Sequence, residues 1–225
     1  MKTYGIILAS GTGSRFGSDV PKQFLKINNK TIFEYSTEAF EKNALVDEIV
    51  VVITPEYKNF AEKIIADNGY KKVSKILCGG KERKDSSFIG VNAVNDDEVK
   101  VLIHDCARPF VSQKIISECV CALDKYDAVC TAILSTDTIF ETQNGIIKNI
   151  PERKNIMRAQ TPQGFKLSVI KKAHELSEND TNFTDDCGLV VKYNLCEVGI
   201  VEGSENNLKI TYPNDLYLAE KILSE

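Results

Sequence analysis

Over its first 134 residues the chain alternates short apolar runs with amphipathic stretches of helical period, and this alternation constrains the fold more than any single motif. Residues 4–9 read as a buried strand. Residues 48–54 (EIVVVIT) read as a second, because β-branched side chains suit a pleated surface covered on both faces. Residues 73–77, 99–104 and 128–134 are further strands. Helices are predicted at 32–41, 56–68, 86–94 and 115–125. Phe60, Ile64 and Ile65 share one face of the second helix, and Gly69 stops it. Strands alternating with helices predict an α/β, Rossmann-like architecture, with a mostly parallel sheet and helices on both faces. The chain has 225 residues, enough for one such domain over 1–225 and too few for two large ones.

Ligands of these sheets bind at the carboxyl ends of the strands. Function is therefore expected at residues 9–17, 79–83 and 104–109, each of which follows a strand. Residues 138–150 break the alternation. Two apolar-bearing runs flank Asn144-Gly145, a strong hairpin signal. A lone hairpin is marginal in water, so this arm, at about 136–158, must pack on its own domain or on a partner subunit.

Composition excludes several classes. The net charge is −4, without the basic excess of a nucleic-acid binder, so any cations for a polyanionic ligand must be local. The apolar N-terminal run is too short for a signal peptide, and no stretch approaches membrane-spanning length. The seven cysteines are odd in number and contain no Cys-x-x-Cys pair, and Cys119 and Cys121 are not spaced for a zinc knuckle. They read as buried reduced thiols, which implies the cytoplasm. His104 reads as structural and His174 as a helix-surface residue.

The first strand runs into Leu8-Ala9-Ser10-Gly11-Thr12-Gly13-Ser14-Arg15-Phe16-Gly17, followed by Pro21-Lys22-Gln23-Phe24. Small residues here let backbone N–H groups approach a phosphate. The order is neither the Rossmann Gly-x-Gly-x-x-Gly nor a Walker A loop, which weighs against a nicotinamide-dependent reductase. Arg15 and Lys22 suit a triphosphate, as a bidentate fork and a mobile point charge. A tight turn carrying solvated charges is the other reading of the same spacing.

With Gly79-Gly80-Lys81-Glu82-Arg83-Lys84-Asp85-Ser86, His104-Asp105-Cys106-Ala107-Arg108-Pro109, Asp137-Thr138, residues 159–165 (AQTPQGF), Thr184-Asp185-Asp186 and residues 207–211 (NLKIT), this loop resembles the sugar-phosphate nucleotidyltransferases. The chain is most similar to the 2-C-methyl-D-erythritol 4-phosphate cytidylyltransferases. The ribitol 5-phosphate cytidylyltransferases are close relatives. The resemblance implies an enzyme of the nucleotidyltransferase fold type. It would transfer a cytidylyl group from CTP to a polyol phosphate and release pyrophosphate, with Mg²⁺ as cofactor, in a homodimer joined by the hairpin arm.

The residues divide accordingly. Arg15, Lys22 and Lys209 are expected to stabilise the reacting phosphates. Lys209 follows a polar turn and is read as beginning a strand; taken alone it reads as a solvated lysine. Leu8, Ala9, Ser10, Gly11, Thr12, Gly13, Gly80, Lys81 and Ser86 match the CTP-binding segments. Two of them depart from the usual family pattern: Ser10 replaces alanine or glycine, and Lys81 an acidic residue. Asp105, Arg108, Thr138, Arg153, Thr161 and Thr184 match positions around the acceptor, with Arg153 reaching the neighbouring subunit and Arg158 competing for its role. An Asp105–Arg108 ion pair shaping the turn is the structural alternative. No residue is assigned as a metal ligand. Asp85-Ser86 with Gly90, Ala107 before Arg108-Pro109, residues 159–165 (AQTPQGF) and Thr184-Asp185-Asp186 favour methylerythritol phosphate over ribitol phosphate as acceptor. A nucleotide-binding module without catalysis is the alternative from another class, opposed by the retained Arg15, Lys22, Asp105 and Lys209.

Overall fold

Uninterrupted apolar runs such as residues 49–53 are stable only where both faces of a sheet are covered, and both are. The computed structural model describes residues 1–11, 16–17, 20–96, 98–178 and 183–224. The elements are β1 (Thr3–Ala9), the short antiparallel pair β2 (Lys26–Ile27) and β3 (Lys30–Thr31), α1 (Ile32–Glu41), β4 (Glu48–Ile53), α2 (Lys58–Asn68), β5 (Val73–Cys78), α3 (Arg83–Asn92), β6 (Lys100–Asp105), α4 (Gln113–Ala122) and β7 (Ala128–Leu134). They continue with β8 (Glu141–Gln143), β9 (Ile146–Asn149), β10 (Met157–Lys166), α5 (Leu167–Leu176), α6 (Asp186–Lys192), β11 (Val198–Glu202) and α7 (Asn214–Ser224). The five strands expected in the first 134 residues are observed with ends shifted by one residue at most, and the four helices by three at most.

The main sheet has seven strands in the order β11-β7-β10-β6-β1-β4-β5. Every neighbouring pair is parallel except those of β10, which runs antiparallel between β6 and β7. From β1 the chain proceeds to β4 and β5 on one side, then returns to lay β6 on the other. The direction of winding thus reverses between β1 and β6, where a crevice for a ligand opens in sheets of this kind.

Alternate residues of β4 feed two cores. Ile49, Val51 and Ile53 pack with Phe33, Phe40 and Ile116. Val50 and Val52 pack with Val101, Phe165 and Ile170 on the other face. Thr31 caps α1, its hydroxyl accepting from Glu34 N while the Glu34 carboxylate takes the Thr31 N–H. Among the described residues no helix is long and apolar enough to cross a membrane.

The hairpin is present. β8 and β9 pair antiparallel, and Asn144 (φ 52°) and Gly145 (φ 76°) both take the left-handed conformation that the tightest turns require. Residues 136–150 are exposed throughout, including Ile139, Phe140, Ile146, Ile147 and Ile150.

Three expectations need correction. His174 is buried, not on a helix surface, because α5 turns it toward Ser87 and Asp186. Lys209 begins no strand; its segment is irregular and is anchored by Ile210 N donating to Ala107 O at 2.8 Å. The cysteines are free thiols, but they are not uniformly buried, since Cys78 and Cys121 are exposed.

Candidate active site

The carboxyl ends of β1, β5 and β6 open onto a cavity of about 690 Å³. Leu8, Ala9, Ser10 and Gly11 enter from β1, Gly80 to Arg83 from β5, and Asp105 to Ala107 from β6. Lys22, Gln23, Phe183, Thr184, Lys209 and Thr211 complete most of the wall. Four cationic side chains (Lys22, Lys81, Arg83, Lys209) meet two acidic ones (Glu82, Asp105). A chain of net charge −4 therefore concentrates positive charge at one end of its sheet.

Sequence-distant contacts hold the loops. Buried Gln23 donates to Ala9 O at 2.6 Å and Gly11 O at 3.1 Å, fixing the start of the glycine loop. Lys22 Nζ donates to Ile210 O at 2.7 Å, which brings the β1 loop against the Lys209 segment. Ser10 donates to Ser86 Oγ at 2.7 Å. Ser86 in turn accepts from Gly80 N at 3.2 Å and donates to Glu82 O at 3.1 Å. The space is tight: a Cβ on Gly79 would stand 2.3 Å from Ser10 Cβ, so only glycine fits.

Asp105 is the charge centre. Its Oδ1 accepts from Arg83 Nε at 2.9 Å and its Oδ2 from Lys209 Nζ at 2.5 Å. Burial acts to raise its pKa, but Arg83 and Lys209 outweigh it and hold the carboxyl far below the usual carboxylate range. Arg83 also pairs with Asp186 at 2.7 Å. Burial opposes its charge, yet the two carboxylates raise its pKa further.

His104 lies directly behind the site. Its Nε2 is 3.0 Å from Arg108 O, an acceptor, so Nε2 carries the proton. Its Nδ1 accepts from the Thr161 hydroxyl at 3.1 Å, and that hydroxyl oxygen accepts from Asp105 N at 3.0 Å. Burial pushes the His104 pKa down to about 4, so the imidazole is neutral at pH 7.

The residues expected from sequence fall into groups. Lys22, Lys209, Leu8, Ala9, Ser10, Gly11, Gly80, Lys81, Asp105 and Thr184 share the cavity. Arg15, Thr12 and Gly13 lie outside the described residues. Ser86 and Thr161 are buried behind the wall. Arg108 donates to Asn207 O at 2.7 Å and Ala159 O at 3.3 Å, tying β10 to the Lys209 segment, while Asp105 takes its cations from Arg83 and Lys209. Thr138 and Arg153 are exposed on or near the arm. Arg153 lines a second hollow with Leu134, Ser135, Glu152 and Lys154. Arg158 pairs with Glu205.

Arg83, Gln23, Gln163 and Asp186 were not singled out by sequence. Arg83 follows Gly79-Gly80 at the end of a strand, and Gln23 follows Lys22 after the glycine loop, which is the signal the sequence offers for them. Asp186 and Gln163 also stand in segments that carry the resemblance, Thr184-Asp185-Asp186 and residues 159–165, but nothing in those segments points to the contacts they make.

Among the described residues no three His, Cys, Asp or Glu side chains converge on one point. The donor set thus provides no cage, and fits a cation carried mainly by substrate phosphates, with Glu82 and Asp105 the carboxylates that line the cavity.

The pattern of the family described as IspD, 2-C-methyl-D-erythritol 4-phosphate cytidylyltransferase, matches residues 4–225. The chain is 43% identical over 227 residues to the 2-C-methyl-D-erythritol 4-phosphate cytidylyltransferase of Thermobifida fusca, covering 96% of this chain and 91% of that protein. It is also 43% identical over 228 residues to a bifunctional ribulose 5-phosphate reductase/CDP-ribitol pyrophosphorylase of Haemophilus influenzae. That match covers 98% of this chain, which spans about half (48%) of that longer relative. Among solved structures, 4-diphosphocytidyl-2C-methyl-D-erythritol synthase from Anaerococcus prevotii superposes with a TM-score of 0.88 at 27% identity, covering 100% of this chain and 99% of that one. The 2-C-methyl-D-erythritol 4-phosphate cytidylyltransferase of Thermus thermophilus gives 0.79 at 27% identity, covering both chains fully at 100%.

Proposed function

This chain belongs to the 2-C-methyl-D-erythritol 4-phosphate cytidylyltransferase family, and from that premise we propose that it transfers a cytidylyl group from CTP to 2-C-methyl-D-erythritol 4-phosphate, releasing pyrophosphate. The observation that carries this reading is the convergence of Lys22, Lys209, Ser10 and Gly11 on one cavity.

A phosphate oxygen of the acceptor attacks the α-phosphorus of CTP. The monoester is already ionised near pH 7, so no general base is needed. The protein's task is to bring two anions together and stabilise a highly negative transition state. Lys22 and Lys209 both line the cavity and would act there together, their segments joined by the Lys22–Ile210 contact. Arg15 is assigned the same role from its place in the loop. Ala9, Ser10 and Gly80 offer main-chain groups for the cytosine, with Ser86 setting the position of Gly80. Asp105 and Thr184 face the acceptor side. A divalent cation such as Mg²⁺ would supply charge neutralisation for the phosphates when bound, with Glu82 and Asp105 the carboxylates that line the cavity. Lys209 occupies one Asp105 oxygen and Arg83 the other, so this carboxylate enters the site already neutralised.

The arm fits a homodimer in which Arg153 serves the neighbouring subunit's acceptor site, with Thr138 among the hydroxyls around the acceptor. Its exposed isoleucines and Phe140 support that reading, as two strands alone cannot cover them. The free thiols support a cytoplasmic location.

Ribitol 5-phosphate as acceptor is the second reading, favoured by the Haemophilus influenzae relative. Pyrophosphate release from CTP, measured with each polyol phosphate, separates them. Turnover with methylerythritol phosphate is expected, and turnover with ribitol 5-phosphate alone would overturn the assignment. Failure with both would point to a nucleotide-binding module.

A further inference from the structure

Asp186 is 1% exposed and does not line the cavity, yet four groups converge on it. Arg83 Nη1 reaches its Oδ2 at 2.7 Å, and the Ser87 hydroxyl donates to its Oδ1 at 2.5 Å. His174 Nε2 stands 3.6 Å from the same Oδ1, and the Asp186 N–H donates to Gln163 Oε1 at 3.0 Å. Gln163 also donates to Asp185 Oδ2 at 2.7 Å, and Asp185 caps α6 by accepting from Gly188 N at 3.0 Å. The start of α6, immediately after Thr184, is thereby locked to β10 and α3.

The same guanidinium carries the connection to the reaction. Arg83 spends Nε on Asp105 and Nη1 on Asp186. A planar fork held at both ends fixes the plane of its partner, which a lysine on a flexible stem does not. Lys209 alone would let the Asp105 carboxylate swing with it. Arg83, Lys209, Asp105 and Asp186 carry no net charge together, and Lys209, bonded to one Asp105 oxygen, still lines the cavity where the phosphates are to bind.

We propose that Arg83 and Asp186 are positioning residues for the acceptor: they act through Asp105, holding its carboxylate in register with the Thr184 loop. This rests on the reading of Asp105 as an acceptor contact. The test is steady-state pyrophosphate release with CTP and 2-C-methyl-D-erythritol 4-phosphate on the full chain. Asp186→Asn and Arg83→Lys should each lower kcat/KM for the acceptor by on the order of tenfold or more, with KM for CTP changed by about twofold at most. In an Asp105→Asn background, Arg83→Lys should cost less than about twofold further, since its route is already cut. Equal losses in both backgrounds, or a loss confined to CTP, would overturn the proposal. Asp105→Asn with an unchanged acceptor KM would instead remove the reading of Asp105 on which it rests. Arg83→Lys keeps the positive charge, so it remains informative if Asp186→Asn fails to fold.

Discussion

Lowering the pH from 7 to 5 should destabilise this protein through its buried histidines. His104 has a pKa of about 4 in the fold against 6.5 when solvated, because burial disfavours the charged ring. The folded state therefore binds fewer protons than the unfolded chain between those values, and stability falls as pH drops through 6.5 toward 4. At about 1.4 kcal/mol per pH unit the full gap is worth about 3 kcal/mol, of which about 2 kcal/mol is lost between pH 7 and 5. His104 is fully buried, so no solvent screening reduces the figure. His174, also lowered by burial, adds loss of the same sign. The carboxylates held low, Asp105 among them, add their losses mainly below about pH 5. The assay is urea unfolding at the two pH values. A protein of this size should also lose about 4–8 °C in Tm for His104 alone. His104→Gln keeps a donor toward Arg108 O but cannot titrate, so it should be less stable at pH 7 and show a shallower pH slope. An unchanged slope in that variant, or no wild-type loss by pH 5, would refute the reasoning.

Gly79→Ala places a methyl 2.3 Å from Ser10 Cβ and 2.9 Å from Ser86 Oγ. It should cost about 1–3 kcal/mol and raise KM for CTP more than for the acceptor, as read by denaturation and kinetics. Replacing Ile146 and Ile147 by glutamate should yield a monomer by sedimentation, because the exposed arm would no longer bury them; an unchanged mass would remove the arm from the interface. Chelation by EDTA should abolish turnover, and added Mg²⁺ restore it, in a pyrophosphate assay.

The parts of the fold legible in the sequence were those governed by period and turn chemistry. Residues 48–54 announced a strand through β-branched residues alone, and Asn144-Gly145 announced its turn because few other pairs accept two left-handed residues. β10 was hidden. Its buried centre holds Gln160, Thr161 and Gln163, polar residues that hydropathy assigns to loops. They tolerate burial because each is satisfied from afar: Gln160 by Ser204 and Asn207, Thr161 by Asp105 and His104, and Gln163 by Asp185 and Asp186. His174 was misread for the same reason, since its partner Ser87 is 87 residues away. Lys209 was placed near the strand ends correctly but on the wrong kind of backbone. Asn207, donating to Gln160 Oε1 and Thr161 O, holds that segment in place of a ladder. The cavity was visible where glycines follow strands; the Asp186 cluster behind it depends on contacts that no local pattern encodes.

Lys22→Gln and Lys209→Gln, assayed for pyrophosphate release at saturating CTP and acceptor, bear most directly on charge stabilisation at the end of the sheet. Each should reduce kcat by on the order of a hundredfold or more while the circular dichroism spectrum stays that of the folded chain. Wild-type kcat in both folded variants would contradict the account.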